Sequence, residues 1–107
     1  MADPGPERRR VQRVQLKGQV RCRWTNGGVH EADGTSKDVS AEGLFFFSAT
    51  EVSEGTRVEL LLDLPSEHVF KGAISLRCVG RVVRTHEEHG QYGVAVVFDD
   101  VEIITGN

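Results

Sequence analysis

Between Val14 and Phe98 apolar residues recur at every second position in one segment after another, and no stretch repeats at the three-to-four spacing of a helix face. A period of two is the signature of half-buried strands, whose successive side chains point to opposite faces. Val14, Leu16, Val20, Cys22 and Trp24 form one side of the first such segment, with Gln15, Lys17, Gln19, Arg21 and Arg23 on the other and Gly18 in phase as a bend or bulge. Asn26-Gly27-Gly28 is a hairpin signal leading into a more polar strand, Val29 to Asp38. Beyond the turn Ser40-Ala41-Glu42-Gly43, the continuous run Leu44-Phe45-Phe46-Phe47 suits a strand buried on both faces. Three consecutive phenylalanines cannot all face inward on a one-sided strand, which would leave one of them to line a contact.

Residues 56–64 alternate again, Val58, Leu60, Leu62 and Leu64 against Arg57, Glu59 and Asp63, with Leu61 the exception and Pro65 the stop. Phe70, Ile74, Leu76, Cys78 and Val82 mark a long strand from about Val69 to Arg84, with Lys71, Ser75, Arg77 and Arg81 on a solvated face. His86 to Gly90 reads as a turn, and Tyr92, Val94, Val96 and Phe98 as the closing strand. Six strands joined by short turns predict an all-β fold, a six-stranded antiparallel barrel, since closure removes the exposed edges that so many short strands create.

A chain of 107 residues is long enough for one apolar core and too short for a second. The expected organisation is a flexible tail over residues 1–7, a barrel domain with its N-terminal arm over 8–102, and a short tail over 103–107 with little or no C-terminal helix. No apolar run approaches the ~18 residues of a membrane span, and the four arginines among the first thirteen residues have no apolar h-region behind them. The cytoplasm is the expected address. Cys22 and Cys78 fall in apolar-periodic segments and are expected to be buried thiols rather than a disulfide or metal ligands.

Charge is divided sharply along the chain. Residues 1–24 carry seven Lys/Arg against two acids, a balance of +5, while residues 25–107 carry six against fourteen, a balance of −8. Positive potential confined to one end, with an acidic body and no surface aromatic platform in view, argues against DNA or RNA as partner and for a compact anion met by the arm.

Two local patterns carry the chemistry. Arg9-x-x-x-Arg13, filled out by Arg8 and Arg10, stands just before the first strand, and Asp38-x-Ser40-x-x-Gly43 occupies the turn between two strands. Without context the first reads as a solvated basic arm and the second as an Asx-type turn. Their order, the strand pattern between them, and the later Gly80-Arg81-Val82-Val83-Arg84 followed by Tyr92-Gly93-Val94-Ala95-Val96-Val97-Phe98 together resemble the PilZ domain family over Glu7 to about Asp100.

The resemblance implies a split-barrel type of fold and a receptor for the bacterial second messenger cyclic di-GMP, with roles in motility or biofilm control, a downstream protein partner, no cofactor and no enzymatic activity. By the same resemblance Arg9 and Arg13 contact phosphate and guanine, Asp38 contacts guanine, Ser40 and Gly43 form the turn that presents them, and Arg8 influences whether one ligand or an intercalated pair is held. The residue types suit the ligand. A guanidinium offers two parallel charge-assisted bonds to a phosphate or to the O6/N7 edge of guanine, and a carboxylate answers the N1/N2 donor edge. A competing reading is a PilZ-like interaction module that binds no nucleotide; retention of both residue sets speaks against it. His86-x-x-His89 at a turn, beside adjacent Glu87 and Glu88 whose side chains diverge, forms neither a metal pair nor an acid/base pair.

Overall fold

A computed structural model describes residues 17–64 and 74–104. Arg8, Arg9, Arg10, Arg13, Val14, Leu16, Val69 and Phe70 lie outside those residues. Six strands follow in chain order, β1 (Gln19–Thr25), β2 (Val29–Val39), β3 (Gly43–Ser48), β4 (Arg57–Leu64), β5 (Ile74–Glu88) and β6 (Gln91–Ile103). They close into a barrel in the order β1-β2-β3-β6-β5-β4, the expected all-β architecture. Every neighbouring pair is antiparallel, including β1 with β4, which completes the ring.

Alternation decides what fills the barrel. Val20 and Cys22 of β1, Phe46 of β3, Leu60 and Leu62 of β4, Cys78 and Val82 of β5 and Val94 and Val96 of β6 form one buried cluster. Strand β3 corrects the expectation of burial on both faces: Leu44, Phe46 and Ser48 are buried, whereas Phe45 and Phe47 are only half-buried on the outside. The ring of strands has a single interior, so a run of apolar residues must still send every second side chain outward.

Strand boundaries also differ from the sequence expectation. The turn expected over His86–Gly90 contracts to His89 and Gly90, with φ of 52° and 80°. Two consecutive residues at positive φ make the tight turn whose twist matches antiparallel strands, so His86, Glu87 and Glu88 remain paired with Gly93, Tyr92 and Gln91. Strand β6 continues past Phe98 to Ile103 because an extra residue, Asp99, bulges between the pairs Gly80–Phe98 and Val79–Asp100. That insertion breaks the alternation by which a strand is read from sequence. Gly18, expected as a bend or bulge inside the first strand, precedes β1; its N–H donates to the buried Ser36 Oγ at 2.8 Å and its carbonyl accepts from Ser36 N–H at 3.0 Å.

Both thiols are free, buried and separated by a strand: Cys22 pairs with Leu60, and Leu60 with Cys78. Two strand spacings are about 10 Å, beyond the Cα separation a disulfide spans. Burial pushes the Cys22 thiol up to about 12, and burial with the nearby Asp100 carboxylate pushes Cys78 up to about 11. A folded-state pKa raised above the unfolded value leaves stability unaffected below about pH 8 and removes it as pH climbs through the interval up to the folded values. Denaturant midpoints should therefore be flat through neutral pH and fall steadily above about pH 9, and Cys22→Ser/Cys78→Ser should flatten that alkaline limb.

Candidate functional site

Two bulges shape the outer face of the sheet β2-β3-β6-β5. In β2 the register moves between the pairs Ser36–Phe46 and Asp38–Phe45, leaving Lys37 as the extra residue. In β5 it moves between Val82–Val96 and Arg84–Ala95, leaving Val83 extra. Each insertion reverses the facing of the residues beyond it, so Val39 turns inward and Asp38 outward. The result is a row across four strands on the outer face: Asp38 of β2, Phe45 of β3, Ala95 of β6 and Arg84 of β5. All four line a groove of about 720 Å³, with Lys37 and His86 also on its walls. Such a volume is ample for a mononucleotide-sized group and typical of ligand sites.

The β2–β3 turn forms one rim. Ser40 N–H donates to the Gly43 carbonyl at 2.9 Å, while Ser40 Oγ accepts from the Glu42 N–H at 3.1 Å and the Gly43 N–H at 3.2 Å. The side chain thus does the work of a main-chain carbonyl in closing the turn. Glycine at 43 answers a packing demand rather than an unusual φ: a Cβ there would stand 2.4 Å from the Val96 carbonyl oxygen of β6. Main-chain atoms cannot step aside as a side chain can, so Gly43→Ala should cost about 1–3 kcal/mol. In a domain this size that is a fall of several degrees or more in Tm, read by thermal melting.

Phe45 is the floor of the groove. Its ring centroid lies 6.1 Å from that of His86 with planes 13° from parallel, 5.3 Å from that of Phe47 at 77°, and 6.0 Å from Lys37 Nζ. His86 Nε2 is also 3.0 Å from Glu88 Oε1, an interaction that holds the Glu88 carboxyl below the ordinary carboxylate range. The expected surface without an aromatic platform is therefore corrected, as is the reading of His86 as part of a solvated turn. A run of three phenylalanines and one histidine in sequence gives no sign that two of them meet across β6.

The structure brings Asp38, Ser40 and Gly43 to one rim of this groove. The arginine set lies outside the described residues, and the chain enters the described part at Lys17 and Gly18, beside Ser36. Sequence reasoning missed Phe45, Arg84 and His86 as groove residues; Arg84 stands in the stretch that carries the family resemblance, but its outward facing depends on the Val83 bulge. No group of three or more His, Cys, Asp or Glu side chains among the described residues is arranged to hold a metal ion. No helix among them is long and apolar enough to cross a membrane.

Comparison with known proteins agrees with this architecture. The family model of the PilZ domain matches residues 7–107. A comparison with curated protein sequences finds no match. Among solved structures, the Bacillus subtilis inhibitor of motility MotI/DgrA superposes with a TM-score of 0.72 at 15% identity, over 88% of this chain and 44% of that one. The PilZ domain of YcgR from Escherichia coli, solved with c-di-GMP, superposes with a TM-score of 0.55 at 14% identity, covering 87% of this chain and 79% of that one. MrkH, a c-di-GMP-dependent transcription regulatory factor, gives a TM-score of 0.51 at 20% identity over 85% of this chain and 43% of that one. This chain spans less than half the length of MotI/DgrA. The barrel, the matched length from residue 7 to the last residue and the placement of the Asp38 turn lead to one assignment: the chain belongs to the PilZ domain family.

Proposed function

We propose that the protein is a receptor for cyclic di-GMP, not a catalyst, and that it signals by ordering its arginine arm over the groove when the ligand binds. The observation that carries this reading is the position of Gly18. It is bonded to Ser36, two residues from Asp38, so the chain enters the barrel beside the rim that carries the Asp38-x-Ser40-x-x-Gly43 turn. Arg13 stands five residues before Gly18. Five residues span up to about 17 Å, which is enough to carry a guanidinium over the groove.

The groove supplies a polar and apolar lining that suits a cyclic dinucleotide. Asp38 answers the N1/N2 edge of a guanine, Arg9 and Arg13 the phosphates and the O6/N7 edge, and Arg8 and Arg10 add positive potential to a body that is otherwise acidic. Ser40 Oγ accepts both of its turn bonds, which leaves its proton for a phosphate or sugar oxygen. Folding of the arm onto the barrel presents a new surface to a downstream protein partner. YcgR and MrkH, whose structures are named for c-di-GMP, share the fold and add weight to the ligand choice.

Titration calorimetry with cyclic di-GMP and cyclic di-AMP tests the reading. Saturable binding of the first and none of the second is expected, with chemical-shift changes in the arm and in residues 38–43. Binding of neither, or of both equally, rejects it.

A further inference from the structure

We infer that Arg84 is a ligand-contacting, specificity-determining residue: together with Asp38 it brackets one guanine laid on the Phe45–His86 rings, Asp38 taking the N1/N2 edge and Arg84 the O6/N7 edge. This rests on the receptor reading and extends it to residues outside both sequence motifs.

Three features of the outer face point the same way. The first is spacing. Asp38 and Arg84 stand at opposite ends of the four-strand row, three strand spacings apart, or about 14 Å between main chains. A guanine with a hydrogen bond at each of two edges, a short Asp side chain on one flank and a long Arg side chain on the other fills that interval.

The second is the floor. Between Phe45 and Arg84 the row holds only Ala95, and one pair further along β6 the residue is Gly93. A Cβ on Gly93 would stand 2.7 Å from Phe45 Cζ and 2.9 Å from His86 Cε1, so the bare main chain of β6 is what lets the two rings lean together from the flanking strands. Small residues along the central strand with two nearly parallel rings beside them give an apolar, aromatic surface at the scale of a purine, on which base stacking is favourable.

The third is charge. Arg21, Arg23 and Arg77 each pair with a carboxylate on a neighbouring strand, and Arg57 of β4 reaches Asp99 of β6. Among the described residues Arg81 and Arg84 have no such ion pair, and of the two it is Arg84 that lies on the wall of the groove. An unpaired guanidinium facing a groove is available to a planar acceptor edge, for which its fork geometry is suited. Guanine alone among the bases combines a two-donor edge with an O6/N7 two-acceptor edge, so this bracket selects guanine.

Four titrations test the inference: wild type and Arg84→Gln, each with cyclic di-GMP and with its bis-7-deazaguanine analogue, which lacks the N7 acceptors and keeps everything else. Arg84 is exposed, so the variant should fold and melt as wild type does. Arg84→Gln is expected to weaken cyclic di-GMP binding about tenfold or more, as for lost charge-assisted bonds. The deaza analogue should bind wild type several-fold more weakly than cyclic di-GMP, and Arg84→Gln should bind the two equally. Wild-type affinity in Arg84→Gln, or a deaza penalty of the same size in both proteins, overturns the inference while leaving the receptor reading intact. Failure of wild type to bind cyclic di-GMP removes both.

Discussion

Asp38→Ala should weaken cyclic di-GMP binding by at least about a hundredfold, and Arg13→Ala by a similar factor, with melting curves close to that of wild type. The magnitude comes from two charge-assisted hydrogen bonds at about 1.5–3 kcal/mol each, together about 3–6 kcal/mol, which is two to four powers of ten in affinity. For Arg13 the near-constancy of stability follows from residue type: a guanidinium in an arginine-rich stretch five residues ahead of Gly18 is not the kind of side chain that fills an apolar core. Asp38 is half-buried on the outer face and contributes no volume to the interior. Asp38→Asn sharpens the test, since an amide keeps the size but replaces one acceptor by a donor. It should lose nearly as much as Asp38→Ala and should accept a hypoxanthine analogue, which lacks the N2 amine, with less penalty than wild type. Titration calorimetry read beside thermal melting decides the matter; undiminished affinity in either alanine variant refutes the assignment of that residue.

Phe46→Ala should be the most damaging single truncation in the barrel. The side chain is fully buried at 0% exposure, on a residue paired with Val94 of β6 on one side and Ser36 of β2 on the other. Removing a buried phenylalanine costs about 3–5 kcal/mol, from lost transfer energy and the cavity left behind. A domain of 107 residues has a total margin of about 5–15 kcal/mol, so a large share would disappear. Phe45→Ala and Phe47→Ala, one residue to either side, should each cost only about 1 kcal/mol, because their rings rest on the outside of the sheet against Lys37, His86 and each other. Phe45→Ala should instead reduce ligand affinity. Urea melts of the three variants are the measurement; equal losses at all three positions would mean that β3 is buried on both faces after all.

These three phenylalanines show where sequence reading stops. Their hydrophobicity announces a strand, but the facing of each depends on which side of β3 the barrel encloses, and nothing within Leu44–Phe47 records it. The Asp38 turn was legible because its chemistry is local: Ser40 and Gly43 act on main-chain atoms within three residues. Arg84 was not legible as a site residue because it comes to face Asp38's groove only through the Val83 bulge and through pairing with Ala95, a partner eleven positions later in the chain.

The amino-acid order by itself determined that the chain is built of antiparallel strands, which residues line the interior of β1 and β4, where two of the tight turns fall and which turn carries the carboxylate and hydroxyl. Those features arise from period-two alternation and from turn residues acting over a few positions, interactions that need no distant partner. The tertiary structure alone decided that β3 lies between β2 and β6, that three single-residue bulges re-aim Asp38, Arg84 and the end of β6, and that Phe45 and His86 meet over Gly93. Ring closure brings together strands far apart in sequence, and a one-residue insertion reverses every facing beyond it; both are properties of pairing, which exists only once the strands are side by side.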